Sequence, residues 1–86
     1  MHTVVLLSYA LNVAERLGYA VRQEWIEGNG GGGCVFRGRK VLFIDLAAPP
    51  SDQLEIVLNV LRSEPAAAQE EMPNELRAAL HMRKVA

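Results

Sequence analysis

A run of glycines that leads into two short apolar segments constrains the fold of this chain more than any other feature. Residues 30–33 are four consecutive glycines, and the apolar segments that follow them are residues 34–36 and 41–44. The tip between these segments contains Gly38, and glycine readily takes the positive φ angle that a type II′ turn needs at its first central position. We therefore predict that the apolar segments form a β-hairpin that turns at Gly38 and Arg39.

The predicted turn also determines which side chains of the hairpin share a face. It places Phe36 opposite Val41 and Cys34 opposite Phe43, and side chains along each strand alternate between the two faces. The apolar residues are then divided between the faces, with Cys34, Phe36, Val41 and Phe43 on one and Val35, Leu42 and Ile44 on the other. Because both faces are apolar, we expect helices or a second subunit to cover each of them.

The segments before the hairpin are predicted to form a helix and an edge strand. Residues 3–17 have helical periodicity, with one narrow polar stripe and an otherwise apolar surface that is typical of a mostly buried helix. Gly18 follows as the residue expected to end this helix in the left-handed conformation. Residues 19–27 alternate imperfectly between apolar and polar, so we place this third strand at an edge of the sheet.

Two more helices are predicted after the hairpin. The prolines at 49–50 end the second hairpin strand, and Ser51 is positioned to cap a helix that continues to about Arg62. A last helix is expected over about residues 74–84, so the element order is α-β-β-β-α-α. The simplest topology with short loops is a three-stranded antiparallel meander packed with helices, which makes residues 1–86 a single small α+β domain.

Length and composition favour a small protein that pairs with another copy of itself. A domain of 86 residues buries only ~60 to 65% of the surface that its unfolded chain exposes. Half of the residues are nevertheless hydrophobic, which is more than a small monomer needs, and we expect a homodimer. Residues 1–40 carry five basic and three acidic side chains, whereas residues 41–75 carry one and seven. Such opposite charges can align two protomers.

The same data disfavour nucleic acid, membranes and a secreted location. The net charge is −1, and the basic tip of Arg37, Arg39 and Lys40 lacks the interleaved aromatic residues that stack on bases. No window approaches the ~20 apolar residues of a membrane span. The single cysteine excludes an intramolecular disulfide, and the amino terminus lacks a signal-peptide pattern, so we expect a cytoplasmic protein.

The loop from Gly28 to Gly33 is the best candidate for a ligand site. It satisfies the GxGxxG pattern, and glycines allow backbone N–H groups to approach a phosphate or a nucleotide closely. The candidate residues are Gly30, Gly31, Gly32, Gly33 and Cys34. A dinucleotide fingerprint must open a helix, whereas a strand is predicted here. The alternative is a plain connection, in which alanine at Gly31 and Gly32 would cost only a few tenths to ~1 kcal/mol of stability.

Catalytic and metal chemistry has weak support among the other residues. Cys34 could be a nucleophile, but its possible bases, His2 and His81, lie in terminal helices, and we expect Cys34 to be a small buried residue of the sheet. These three residues have no metal-ligand spacing, so neither a metal nor a cofactor is expected. Asp45 ends a strand, where an aspartate commonly orients the following turn.

One combination of short motifs covers about residues 11–61. It consists of a helix that ends in Leu-Gly, a strand with Val-Arg and Glu, a Gly-Gly-Cys hairpin, and a leucine-rich helix at 53–61. In this combination the chain resembles short bacterial hypothetical proteins, and the resemblance implies no activity. The order of hairpin then helix is also similar to small metallopeptidase-like domains. Their zinc-binding helix motif is absent where residues 53–61 stand, so peptidase chemistry is not implied.

Three functional hypotheses follow from the sequence. The leading one is a non-enzymatic, cytoplasmic protein that self-associates, because its predicted hairpin is apolar on both faces. The second is a small-ligand module whose glycine loop, Gly28 to Gly33, holds a phosphate or a nucleotide. An enzyme with Cys34 as its nucleophile is the third.

Overall fold

The computed structural model describes residues 1–26 and 31–85 and contains the predicted set of elements. In chain order these are α1 (Thr3–Arg16), β1 (Ala20–Glu24), β2 (Gly32–Phe36), β3 (Arg39–Asp45), α2 (Pro50–Arg62), a 3₁₀ turn (Pro65–Gln69) and α3 (Asn74–Val85). The α+β class and the order α-β-β-β-α-α are thus confirmed.

The prediction of an antiparallel meander is wrong, because the sheet is mixed. Strand β3 lies in the centre, with β2 antiparallel on one side and β1 parallel on the other. A parallel neighbour requires a crossover connection, and the connection from β1 to β3 contains β2 itself. The central position suits β3 because it is the longest strand and buries Leu42 and Ile44 completely, whereas β2 carries two glycines and is largely exposed.

The hairpin turn lies one residue earlier than predicted. Its central residues are Arg37 and Gly38, with φ angles of 52° and 77°, and positive φ at both positions defines a type I′ turn. Phe36 therefore pairs with Arg39, and the register differs from the predicted one by two residues. Because side chains alternate with a period of two, the division of side chains between the two faces is unchanged.

All three described helices lie on the same side of the sheet. Helix α1 packs on β1 and α2, α2 packs over β2 and β3, and α3 packs against α1 and α2. The core comprises Leu7, Ala10, Val13, Ala14, Leu42, Ile44, Val57, Leu58, Leu61, Ala67 and Leu76. The helices thus cover the face that carries Leu42 and Ile44. No described helix covers the opposite face, so of the two expected covers, helices or a second subunit, the described helices supply only one face.

Helix ends agree with the prediction at one position and differ at another. Gly18 follows α1 with φ at 98°, and the Tyr19 amide bonds the Ala14 carbonyl at 3.0 Å, as expected for a left-handed helix terminator. Helix α2 starts at Pro50, and no side chain caps it, so the prediction for Ser51 is wrong. Proline fits the first helical position because its fixed φ angle is helical and its missing N–H has no partner there.

Helix α1 is less buried than its sequence predicts. Its inner residues belong to the core, but the side chain of Val4 is 61% exposed and Val5 and Tyr9 are exposed as well. The reason is geometric, since α1 has neighbours on one side only. None of the described helices is both long enough and apolar enough to cross a bilayer.

Candidate functional site

The predicted site residues gather on β2, an edge strand of the sheet. Gly31, Gly32, Gly33 and Cys34 lie in this strand or next to it, and Gly30 lies outside the described residues. Two open cavities flank the strand. One, of about 370 Å³, lies between β2 and α2, and the other, of about 420 Å³, lies on the opposite face of the sheet. The glycine segment therefore contributes to two separate surfaces.

Two of these glycines have structural reasons to be glycine. A Cβ on Gly31 would lie 2.2 Å from the Phe43 carbonyl oxygen, and the φ angle of Gly31 is +77°. A Cβ on Gly33 would lie 3.1 Å from Cγ2 of Val60, so glycine lets α2 come close to the sheet. Gly31 is thus not the easily replaced spacer residue that the plain-connection alternative assumed. Gly32, with φ +138°, has no atom within 4 Å of its Cβ position.

The charges around the glycines do not favour an anion. Among the described residues that line the two cavities, none is lysine or arginine, and one, Glu24, is acidic. In the basic tip, the charged groups of Lys40 and Arg37 contact side chains outside these two cavities. Lys40 bonds Glu64 at 3.1 Å, and the guanidinium of Arg37 lies 5.2 Å from the ring centre of Phe36. A phosphate beside these glycines would therefore meet no cationic side chain among the described lining residues.

The prediction that Cys34 is buried is wrong, because its side chain is exposed. It lies on the face of the sheet that the helices leave open. Neither His2 nor His81 lines a cavity that contains Cys34, so the structure does not join the three residues into a catalytic or metal site. Within the described ranges, no group of three or more histidine, cysteine, aspartate or glutamate residues could hold a metal ion.

Asp45 has the orienting role that was predicted for it. The carboxylate is buried, with 4% of the residue exposed. Its Oδ1 accepts a hydrogen bond from the Ala47 amide at 2.9 Å and another from the Ile26 amide at 3.1 Å. Asp45 therefore holds the turn after β3 and also the chain that leaves β1.

Sequence reasoning missed a polar cluster of Tyr19, Lys40 and Glu64, of which Tyr19 lines the cavity between β2 and α2. The Tyr19 hydroxyl donates to Glu64 Oε1 at 2.8 Å, and the Lys40 ammonium lies 4.9 Å from the tyrosine ring centre. Burial, followed by the neighbouring Glu64 carboxylate, raises the pKa of Tyr19 to about 12. The bonds from Tyr19 and Lys40 lower the pKa of Glu64. No local sequence pattern predicts this cluster, because its members are far apart in the chain.

The uncovered face of the sheet carries an apolar patch, which we call the open patch and define as Cys34, Phe36, Val41 and Phe43. Phe36 is 61% exposed, Cys34 is exposed, and the other two are half-buried. The two ends of the patch differ in charge. Arg39 lies at the turn end, and Glu24, paired with Arg22 at 2.7 Å, lies at the other end.

Comparisons with known proteins add no family to this description. Neither the protein-family models, nor the curated proteins, nor the solved structures with which the chain was compared include a match. Function is therefore inferred from the geometry of β2 and of its two surfaces.

Proposed function

We propose that this protein functions by self-association, with two copies packing their open patches face to face. The observation that carries the proposal is the one-sided sheet, whose helices cover Leu42 and Ile44 but leave Phe36 61% exposed on the opposite face. Such a face removes apolar area from water only by meeting another apolar surface. The proposed role is assembly, with no chemical reaction assigned to the chain.

The charges at the ends of the open patch favour a second copy as the occupant. A two-fold axis that runs between the sheets and across the strands reverses the strand direction of one copy relative to the other. It brings the turn end of one patch, with Arg39, towards the end of its partner that carries Glu24. Exposed ion pairs of this kind contribute at most ~1 kcal/mol each, so they orient the dimer while the apolar residues stabilise it.

The size of the face limits the affinity. Strands ~4.8 Å apart and residues that rise ~3.3 Å along each strand give a face of roughly 14 Å by 20 Å. Two such faces amount to roughly 560 Å² of planar area in total, which is well below the ~1,200 Å² at which standard-size interfaces begin. We therefore expect a dimer that dissociates in the micromolar range.

Sedimentation velocity provides the test, with two variants matched for exposure. Phe36→Ser changes the open patch and Val4→Ser changes the outer side of α1, and the two wild-type residues are each 61% exposed. A dissociation constant of about 1 to 10 μM corresponds to roughly −7 to −8 kcal/mol, so at about 100 μM the unmodified protein and Val4→Ser should be largely dimeric and Phe36→Ser monomeric. A monomeric unmodified protein, or equal effects of the two substitutions, would overturn the proposal.

The glycine loop, Gly28 to Gly33, as a phosphate or nucleotide site stays a prediction. The protein with Gly32→Ala tests it, because the Cβ at this position meets no atom within 4 Å; its φ of +138° strains alanine, so circular dichroism must first show that the variant is folded. Equilibrium dialysis with inorganic phosphate and with ATP should show no binding if self-association is the function. Saturable ATP binding that Gly32→Ala weakens would instead favour the ligand module.

A further inference from the structure

A second surface, which shares only Cys34 with the open patch, lies at the outer edge of β2 beside α2. We call it the β2–α2 groove, and it is the cavity of about 370 Å³ lined by Tyr19, Gly32, Gly33, Cys34, Val35, Ile56, Asn59, Val60 and Ser63. An edge strand is a template for another strand unless charged side chains, proline or a covering element block it. β2 has the sequence GGCVF, so it contains neither lysine nor proline.

The backbone of β2 directs hydrogen-bonding groups into this groove. Phe36 and Arg39 close the two-residue turn, and the hydrogen-bonded pairs of an antiparallel ladder then alternate along the strand. The backbone groups of Phe36 and Cys34 therefore face β3, whereas those of Gly33 and Val35 face outwards. No described residue outside the sheet forms a backbone hydrogen bond with Gly33 or Val35. An added strand would satisfy these groups.

The side chains around the groove indicate what kind of strand fits. Ile56 and Val60 supply apolar contacts, and Val60 packs directly against Gly33. Asn59 accepts a hydrogen bond from Arg62 on its side-chain oxygen at 2.9 Å, which leaves its amide NH₂ group to donate. None of the described lining residues is charged. The groove thus suits an uncharged segment that directs an apolar side chain towards α2.

We propose that the β2–α2 groove binds an extended, uncharged peptide segment of another protein, which joins the sheet as a strand beside β2. Addition of a strand to a sheet edge is a recurring mode of peptide recognition, in which main-chain hydrogen bonds supply affinity and side-chain pockets supply selectivity. The groove shares Cys34 with the open patch, but its hydrogen-bonding groups lie at the edge of the sheet and not on the open face, so peptide binding does not require dimerisation.

A free segment fits this groove better than the β2 strand of a second copy. Helix α2 overlies the edge strand, because the Cβ position of Gly33 is 3.1 Å from Val60 Cγ2. Two copies joined edge to edge would place their β2 strands ~4.8 Å apart. In an antiparallel pair of this kind, their α2 helices would lie side by side on the same face of the joined sheet, at about the ~8 to 10 Å spacing of packed helices. A peptide carries no helix and needs no such packing.

The test is selection from a display library of random dodecapeptides on the intact protein, followed by titration of the enriched synthetic peptides by fluorescence anisotropy. We expect enriched sequences that lack charge and alternate apolar with polar residues. Val35→Pro removes one outward N–H while remaining compatible with an edge strand, and it should weaken binding about tenfold. Val35→Thr keeps that N–H and the branched side chain, and it should bind like the unmodified protein, as should Phe36→Ser.

A second measurement remains decisive even if Val35→Pro fails to fold. Methylation of single amide nitrogens in the best peptide should weaken binding at every second position, because alternate N–H groups of an added strand face β2. If methylation weakens peptide binding without this alternation between positions, the proposal is overturned. A library that enriches no peptide, or enriched peptides that Phe36→Ser releases and Val35→Pro does not, would also overturn it.

Discussion

Tyr19 and Glu64 are joined by a hydrogen bond of 2.8 Å although 45 positions separate them in the chain. Lys40 bonds the same carboxylate oxygen at 3.1 Å. The cluster thus ties the start of the sheet to the central strand and to the turn after α2. Glu64 is the common acceptor, and its side chain is only 19% exposed, so these bonds lie in a partly dry environment where they contribute to stability.

Tyr19→Phe should reveal the pH dependence of this cluster. At neutral pH the loss of one hydrogen bond to a charged acceptor should lower the free energy of unfolding by about 1 kcal/mol. The pKa of Tyr19 is raised from 10.0 to about 12, so its contribution is complete below pH 10 and disappears as pH rises to about 12. The variant should lack this alkaline loss, which urea unfolding across the pH range would measure.

At acid pH the cluster's contribution to stability changes in the opposite direction, because it is lost as pH falls. The pKa of Glu64 is lowered from 4.5, first by the bond from Tyr19 and then by that from Lys40. A lowered pKa in the folded state gives stability that is present above 4.5 and lost as pH falls through the folded value. Tyr19→Phe should therefore lose less stability on acidification than the unmodified protein. Parallel acid and alkaline curves for the two proteins would contradict the assigned role of the cluster.

Gly31→Ala should be far more destabilising than Gly38→Ala. Both glycines have φ at +77°, but a Cβ at Gly31 meets the Phe43 carbonyl oxygen at 2.2 Å, whereas a Cβ at Gly38 meets nothing within 4 Å. Alanine at Gly38 incurs only the left-handed backbone strain of about 1 to 2 kcal/mol. Alanine at Gly31 must also displace the central strand, and we expect at least ~3 kcal/mol. Equal midpoints of urea unfolding would show that Gly31 is not packed in this way.

Asp45→Ala should destabilise the protein by about 2 to 4 kcal/mol, because it leaves two amide groups, of Ile26 and Ala47, without their acceptor. Asp45→Asn is the matched control. Its amide oxygen can still accept both bonds, so we expect a smaller loss. Thermal unfolding followed by circular dichroism would rank the two variants, and an asparagine variant as unstable as the alanine variant would contradict the capping role of this oxygen.

Leu42→Ala should remove a large share of the total stability. Leu42 lies on the central strand with 0% of its surface exposed, and a buried leucine truncated to alanine costs about 2 to 5 kcal/mol. Val4→Ala, at a residue 61% exposed, should change stability by less than ~0.5 kcal/mol. The midpoints of urea unfolding, compared at equal dependence of ΔG on urea, would measure both stability changes. A small effect of Leu42→Ala would show that Leu42 is not part of the core.

Local patterns predicted the parts of the fold that depend on near neighbours. The periodicity of residues 3–17 indicated α1, Gly18 indicated its end, and the apolar segments around Gly38 indicated a hairpin, all of which the structure contains. The side chains that share a face of the hairpin were also predicted correctly. This assignment of faces stayed correct despite the register error, because a shift by an even number of residues leaves every side chain on the same face.

Long-range packing explains the predictions that failed. No local rule distinguishes a meander from a sheet with β3 in the centre, since the choice depends on which strand has enough apolar residues to be paired on both edges. Exposure of Cys34 follows from the helices gathering on one face. The acceptor shared by Tyr19 and Lys40 is likewise visible only once β1, β3 and the end of α2 are in place.

The amino-acid sequence by itself determined the helices, the strands and the alternation of side chains, because these depend on backbone conformation and on periodicity over a few residues. Tertiary structure alone decided the strand order, the single helical layer and the two exposed surfaces of β2. Those features arise where distant segments compete to bury apolar area, and that competition is settled only when the whole chain packs together.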